Sequence, residues 1–325
     1  MPPLASFLAL AFAVAAADPA FDIQGNIQPE ARAAVHLHGA TSPFTASTLA
    51  DARGRFQFRK LLPGSYTISV FLPGRGESRR TIEVGPSLAD ARGRVPITID
   101  IVDSKLQTDD MIRRKNLISA RELSIPDKAR REYDEAQKRL GRRDIEGAVA
   151  HLETAVKLAP QFSAAWNNLG TISYQTRQYE RAEAHFRRAL EANPESFEPA
   201  VNLGGVLLNL EKVDEALQYN QYAVLTRPAD ALSNSQLGMT YFYRGDLDRA
   251  LKYLKTAKGL DPAHFSHPQL LLAEIYLRKK DQTAAAAEME DFLKHHPDWP
   301  AAAQVREAIG KLLASPVQPV ADPKP

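Results

Sequence analysis

Residues 163–196 read SAAWNNLGTISYQTRQYERAEAHFRRALEANPES, and the fold is decided by how this stretch recurs. Its proline, Pro194, belongs to a series at Pro160, Pro194, Pro228 and Pro262, each 34 residues apart, with Pro297 one residue late. Alanines keep the same spacing at Ala148, Ala182, Ala216 and Ala250, and again at Ala155, Ala189, Ala223 and Ala257. Small residues recur at Ala136, Gly170, Gly204 and Gly238, with Leu169, Leu203 and Leu237 before three of them. A fixed period of this length marks stacked supersecondary units. Within a unit, a Gly or Ala on one helix lets an Ala-bearing second helix pack closely and antiparallel. The proline ends the second helix, because it lacks an N–H and its ring clashes with the preceding turn. One unit cannot bury its apolar face alone, so units stack.

The unit Ala165-Trp166-Asn167-Asn168-Leu169-Gly170, Tyr174, Tyr179-Glu180-Arg181-Ala182, Phe186, Ala189-Leu190, Pro194 closely resembles the tetratricopeptide repeat. The resemblance implies an all-α superhelix over 129–299, with five repeats at about 129–162, 163–196, 197–230, 231–264 and 266–299. Three units depart from the family pattern. The first has Glu135 where Leu is usual, the third has Asn220 where a large apolar residue is usual, and the fifth has Phe292 in place of Ala. Residues 300–315 follow, with Val305, Ala308, Ile309, Leu312 and Leu313 expected on one face of a capping helix, the polar-backed end that a solenoid needs. The tail 316–325 holds four prolines and reads as disordered.

Upstream the period changes to two. Val35 and Leu37 alternate with His36 and His38, Phe56 and Phe58 with Gln57 and Arg59, and Tyr66, Ile68 and Val70 with Thr67 and Ser69. Ile97, Ile99 and Ile101 continue the pattern. Such alternation puts one face in a core and the other in water. Turn signals at Asp51-Ala52-Arg53-Gly54, Pro63-Gly64-Ser65 and Pro73-Gly74-Arg75-Gly76 separate the runs. About seven short strands over 18–103 predict an all-β sandwich of transthyretin or immunoglobulin-like type. The segment Asp51-Ala52-Arg53-Gly54-Arg55-Phe56-Gln57-Phe58, then Leu62-Pro63-Gly64-Ser65-Tyr66-Thr67-Ile68, resembles carboxypeptidase-regulatory-like domains. That family is not catalytic, and the resemblance implies carbohydrate contact as a secondary function. His36 and His38 share a strand face, but a metal site needs three or four convergent ligands, so they read as solvated histidines.

Residues 1–17 read as a secretory signal peptide. Leu4 to Ala17 is an uncharged apolar run of 14 residues, short of the roughly 20 that a spanning helix needs, and Ala15-Ala16-Ala17 ends it as a cleavage site. The expected location is therefore periplasmic or extracellular, with no transmembrane span in the mature chain. Residues 104–128 form a linker. With 41 Lys and Arg against 39 Asp and Glu, the 325-residue chain lacks the basic excess of a nucleic-acid binder. It contains no cysteine, which removes disulfides, cysteine-ligated metals and thiol nucleophiles.

No catalytic, phosphate-binding or dinucleotide-binding motif appears, so no catalytic residue, metal or cofactor is expected and the chain reads as non-enzymatic. Asp109-Asp110 are adjacent in the linker, and His295-His296 end a helix, where they read as capping groups. The tetratricopeptide resemblance implies a concave groove lined by the first helix of each repeat. Carried onto this sequence, the groove for a protein or peptide partner comprises Tyr133, Asn167, Thr171, Tyr174, Val201, Leu208, Ser235, Met239, Phe242 and Tyr243. Beside it, Asp134, Asn168, Asn202 and Gln236 are spaced by 34 residues as a polar column. An amide can hold an extended peptide backbone, since it donates and accepts together, or it can bond to neighbouring helices. Met239, Phe242 and Tyr243 are expected as an exposed apolar patch. Glu198, Asn202, Leu232 and Gln236 stand where a clamp for acidic tails would need Lys and Arg, so no such clamp is expected. The leading function is an exported interaction scaffold. Carbohydrate binding by the sandwich is the alternative, and an enzyme with an unrecognised metal site the remote one.

Overall fold

A computed structural model describes residues 20–72, 76–101 and 123–314. The apolar leader, the turn residues 73–75, most of the linker and the tail lie outside these residues.

Seven strands form two stacked sheets: β1 (Phe21–Gln28), β2 (Ala34–Gly39), β3 (Thr45–Leu49), β4 (Arg55–Leu61), β5 (Gly64–Leu72), β6 (Gly76–Val84) and β7 (Arg94–Asp100). One sheet has the order β4-β1-β7 and the other β3-β2-β5-β6. All neighbours are antiparallel except β1 and β7, which run parallel from Asp22↔Arg94 to Gln28↔Asp100. The period-two pattern does what it should. Ile23, Ile27, Val35, Leu37, Phe56, Phe58, Ile68, Val70 and Ile99 close a single core between the sheets. The pentapeptide Asp-Ala-Arg-Gly-Arg occurs at 51–55 and again at 90–94. Both copies build the same turn: Asp51 and Asp90 accept from the backbone N–H groups two and four residues on, and Gly54 and Gly93 supply the left-handed φ of 74° and 72°.

The array consists of five antiparallel helix pairs: α1 (Asp127–Gly141) with α2 (Ile145–Leu158), α3 (Ser163–Gln175) with α4 (Tyr179–Ala192), α5 (Phe197–Asn209) with α6 (Val213–Thr226), α7 (Ala231–Tyr243) with α8 (Leu247–Leu260), and α9 (Pro268–Arg278) with α10 (Gln282–His295). Helix α11 (Ala302–Ala314) covers the last pair with Val305, Ile309 and Leu312, while Leu313 turns outward and is 57% exposed, contrary to its expected place on the buried face. The 34-residue spacing also fixes the turns. Arg143, Arg177, Glu211 and Gly245 each adopt positive φ between the two helices of a pair, and Lys280 repeats this one residue late. The small residues act as expected from the spacing. A Cβ on Gly170 would lie 2.5 Å from the Phe186 ring, so α3 and α4 approach as closely as they do only without one. In the third pair the partner is Asn220, fully buried, whose Nδ2 donates to Thr240 Oγ1 at 2.9 Å and whose Oδ1 has no partner.

Candidate interaction site

The first helices α1, α3, α5 and α7 line the concave face, and the structure brings Tyr133, Asn167, Asn168, Thr171, Val201 and Asn202 together there around one crevice. The amides are largely spent between repeats. Asn168 Nδ2 donates to Tyr133 OH at 3.2 Å, Asn202 Nδ2 to Asn167 Oδ1 at 3.1 Å, and Asn209 Nδ2 to Tyr174 OH at 3.3 Å. Each links a residue to one 35 positions earlier. The polar column therefore ties neighbouring pairs together instead of standing free for a peptide. Gln236 continues it with a buried Oε1 that has no partner. Ser235 is buried and pairs with Ser266 Oγ at 2.7 Å. Val201 and Leu208 are buried in apolar clusters.

The expected apolar patch of the fourth repeat is mostly closed. Phe242 is buried, with the Arg278 guanidinium 4.4 Å from its ring centroid, and Met239 is half-buried against the third-pair cluster. Tyr243 alone of the three stays open, at 57% exposure. An aromatic side chain on a concave helix covers its neighbour's apolar edge before it meets solvent, and helical spacing alone does not reveal this.

The sandwich faces the concave side. The outer surface of its four-stranded sheet, with His38, Thr67, Ser69 and Arg79, forms the opposite wall of the crevice, which encloses about 330 Å³. A second crevice of about 270 Å³ continues beside Arg79, Arg227, Asp230 and Asp261. Polar contacts bridge the two domains along the whole array. Arg143, in the α1–α2 turn, donates to Tyr66 OH at 3.2 Å and lies 4.8 Å from the Phe44 ring centroid. Gln175 Nε2, at the end of α3, donates to the Gly39 carbonyl at 2.9 Å. Arg79 Nη2 lies 3.5 Å from Glu198 Oε1. Thr81 N–H donates to Asp261 Oδ2 at 2.8 Å, His296 Nδ1 meets Glu83 Oε1 at 3.2 Å, and Ser87 donates to Asp298 through its backbone N–H and, at 2.6 Å, its hydroxyl.

The crevice perturbs the groups inside it. His38 is reachable by water but walled on both sides, and this desolvation, helped by His36 and Arg79, pushes its pKa down to about 4. Burial works against the charge on Glu198, but Arg227 and Arg79 overcome it and hold the carboxyl below its ordinary value. At the far end His264, His267 and His296 are buried together, with His267 Nδ1 and His296 Nε2 3.3 Å apart. Burial, reinforced by His296 and His264, brings His267 to about 3. His296 caps α10, as its position suggests, but its main feature is the contact with Glu83 across the domains. Among the described residues no three His, Asp or Glu side chains converge as metal ligands, and no helix is long and apolar enough to cross a membrane. A shallow trough of about 970 Å³ lies away from the concave face, beside Trp166, Pro160 and His185.

A family model described as tetratricopeptide repeat matches residues 133–197, 174–233 and 235–303, more than half of the chain. The chain belongs to the tetratricopeptide repeat family. Solved structures resemble part of it. MamA from Desulfovibrio magneticus RS-1 is 24% identical, covering 54% of this chain and 98% of its own, with a TM-score of 0.48. YrrB, described as a tetratricopeptide protein with an unusual peptide-binding site, is 25% identical, covering 58% and 98%, with a TM-score of 0.46. The Cut9–Hcn1 hetero-tetramer of APC/C is 19% identical, covering 62% and 39%, with a TM-score of 0.50. No curated protein matches the chain. Proteins of the tetratricopeptide fold are typically interaction scaffolds, and no catalytic family is indicated.

The repeat pattern puts the first helices side by side, but nothing in the sequence marks the sandwich as their neighbour. Arg79, Glu83, Asp261, His296 and Asp298 carried no motif. The one available signal was the polar outer face of β2, β5 and β6, which looks the same whether it meets water or a polar groove.

Proposed function

We propose that the protein is an exported, non-enzymatic scaffold whose tetratricopeptide array binds a protein or peptide partner. One observation carries this reading. The array already engages polypeptide, partly through main-chain groups: the Gly39 carbonyl against Gln175 at the end of α3, and the N–H groups of Thr81 and Ser87 against Asp261 and Asp298 in the turns between helices. A surface that contacts backbone in this way suits a partner chain better than a small substrate. Export rests on the apolar run Leu4 to Ala17 with its Ala-rich end. Amino-terminal sequencing of the mature protein should begin at Asp18, and a retained Met1 would remove the export reading.

The scaffold reading is tested by affinity capture from envelope extract. The full mature chain is compared with Asn167→Ala/Asn202→Ala/Tyr243→Ala, checked for folding by circular dichroism. A partner held by wild type and lost by the folded variant supports the concave face as receptor. A partner held equally by both moves the site to the convex face or the sandwich. Carbohydrate binding rests on the sandwich's resemblance alone, and a glycan-array signal from the full chain, with no captured protein, would replace the scaffold reading.

A further inference from the structure

Strand β6 is an edge strand, paired only with β5. An edge leaves a row of N–H and C=O groups unpaired, ready to join another chain. Here that edge and the turn after it lie against the array. Alternate residues face it, as period two requires, and they meet its elements in chain order. Arg79 meets Glu198 at the start of α5, Thr81 N–H meets Asp261 at the end of α8, Glu83 meets His296 at the end of α10, and Ser87 meets Asp298 before α11. Strand residues 77–84 and the turn that follows at 85–89 thus run along the ends of the array's helices, held by three carboxylates and a histidine.

Two facts make this seat reversible. Among the described residues the buried apolar cluster of the sandwich is separate from those of the array, so no common core joins the domains. The contacts themselves are ion pairs and hydrogen bonds beside two crevices, the character of domain interfaces that open and close.

We propose that strand 77–84 and the turn to Ser87 are a built-in occupant of the array's partner site, which comprises the crevices beside Thr171, Gln175 and Asn202 and the helix ends that border them, and that the external partner is a polypeptide segment of the same chemistry. That segment carries a cation for Glu198 and presents donors to Asp261 and Asp298, and it gains the groove when the sandwich lifts away. The proposal rests on the scaffold reading and names its partner class. A groove that is only fractionally open binds its partner more weakly in proportion to that fraction, so the sandwich sets the apparent affinity.

The test uses the full chain. The native sequence has no cysteine, so Arg53→Cys and Glu290→Cys place one spin label on each domain. The probe is a fluorescent peptide with the sequence of residues 76–88. The undocking variant is Arg79→Glu/Ser87→Glu, which sets carboxylates against Glu198 and Asp298. Expected results are a longer label distance in this variant and peptide binding at least tenfold tighter than to wild type. A peptide carrying Arg79→Glu should bind at least fivefold more weakly. The array-side variant Asp261→Asn/Asp298→Asn should also lengthen the distance, yet gain no peptide affinity, because it lacks the seat.

An unchanged label distance in the first variant overturns the proposal, since the segment is then not held by these contacts. A lengthened distance with no gain in peptide binding also overturns it, and leaves the scaffold reading to the capture experiment. A doubled mass, with labels re-paired between molecules, would assign the open groove to a second copy of the sandwich instead.

Discussion

The sandwich and the array solve the problem of burying apolar surface in opposite ways. The sandwich closes once, around a single cluster reaching from Phe21 to Ile101. The array never closes. It buries its surface in successive clusters, each centred on neighbouring helices, and it needs α11 to cover the last one. The seam between the two regions belongs to neither core. If its contacts change without loosening either domain, the two regions unfold independently.

The largest expected effect tests that independence. Phe186→Ala removes a ring that fills the space under Gly170 and should cost the array about 3–5 kcal/mol, and Ile68→Ala should cost the sandwich about 2–5 kcal/mol. Differential scanning calorimetry should show two transitions, each variant lowering its own. A single transition lowered equally by both would break the comparison.

Acid should separate the regions further. His267 and His264 are buried in the last repeats, and their pKa values lie below the ordinary 6.5. Around His267 stand His264, His296 and the rings of Phe292 and Trp299, with Glu83 beyond His296 and Asp261, Asp291 and Asp298 nearby. A depressed folded-state value means that the unfolded chain takes up protons first. The array's stability is therefore full above pH 6.5 and falls towards pH 3, by about 1.4 kcal/mol per pH unit for one such group. Trp299 fluorescence in a Trp166→Phe background should report loosening of the last pair between pH 6.5 and 4, while the sandwich transition moves less, because its own lowered histidine, His38, faces the crevice and is outside the sandwich core. Equal acid sensitivity of both transitions would contradict this.

Two smaller effects sharpen the contrast inside the array. Asn220→Leu with Thr240→Val replaces both partners of a buried hydrogen bond, and the orphaned Asn220 oxygen with them, by apolar groups of similar shape, and should leave the array unchanged or stabilise it by about 1 kcal/mol in urea unfolding. Lys280→Gly relieves a left-handed residue at the last turn and should add about 0.5 kcal/mol, against no change in the sandwich.

Much of this was legible in the residues. The proline and alanine spacing located every helix pair, and alternation located the strands, because both patterns record burial by local geometry. What stayed hidden was the meeting of distant polar groups. Ser87 and Asp298 are 211 residues apart, and neither differs from an ordinary turn residue until both are placed. The same reason hid the closing of Phe242 under Arg278 and the capture of the column amides by Tyr133 and Asn167. Periodicity says which side of a helix a residue is on, but the neighbour waiting there comes from another repeat.

The parallel pairing of β1 with β7 has a mechanical consequence. The first and last strands of the sandwich lie side by side and point the same way, so the chain enters at one end, at Phe21, and leaves at the other, after Asp100. Tension applied through these two ends slides the strands along each other and loads the ladder from Asp22↔Arg94 to Gln28↔Asp100 all at once. Pairs loaded together resist far better than pairs peeled one by one. Force applied through these two ends therefore meets the sandwich in shear.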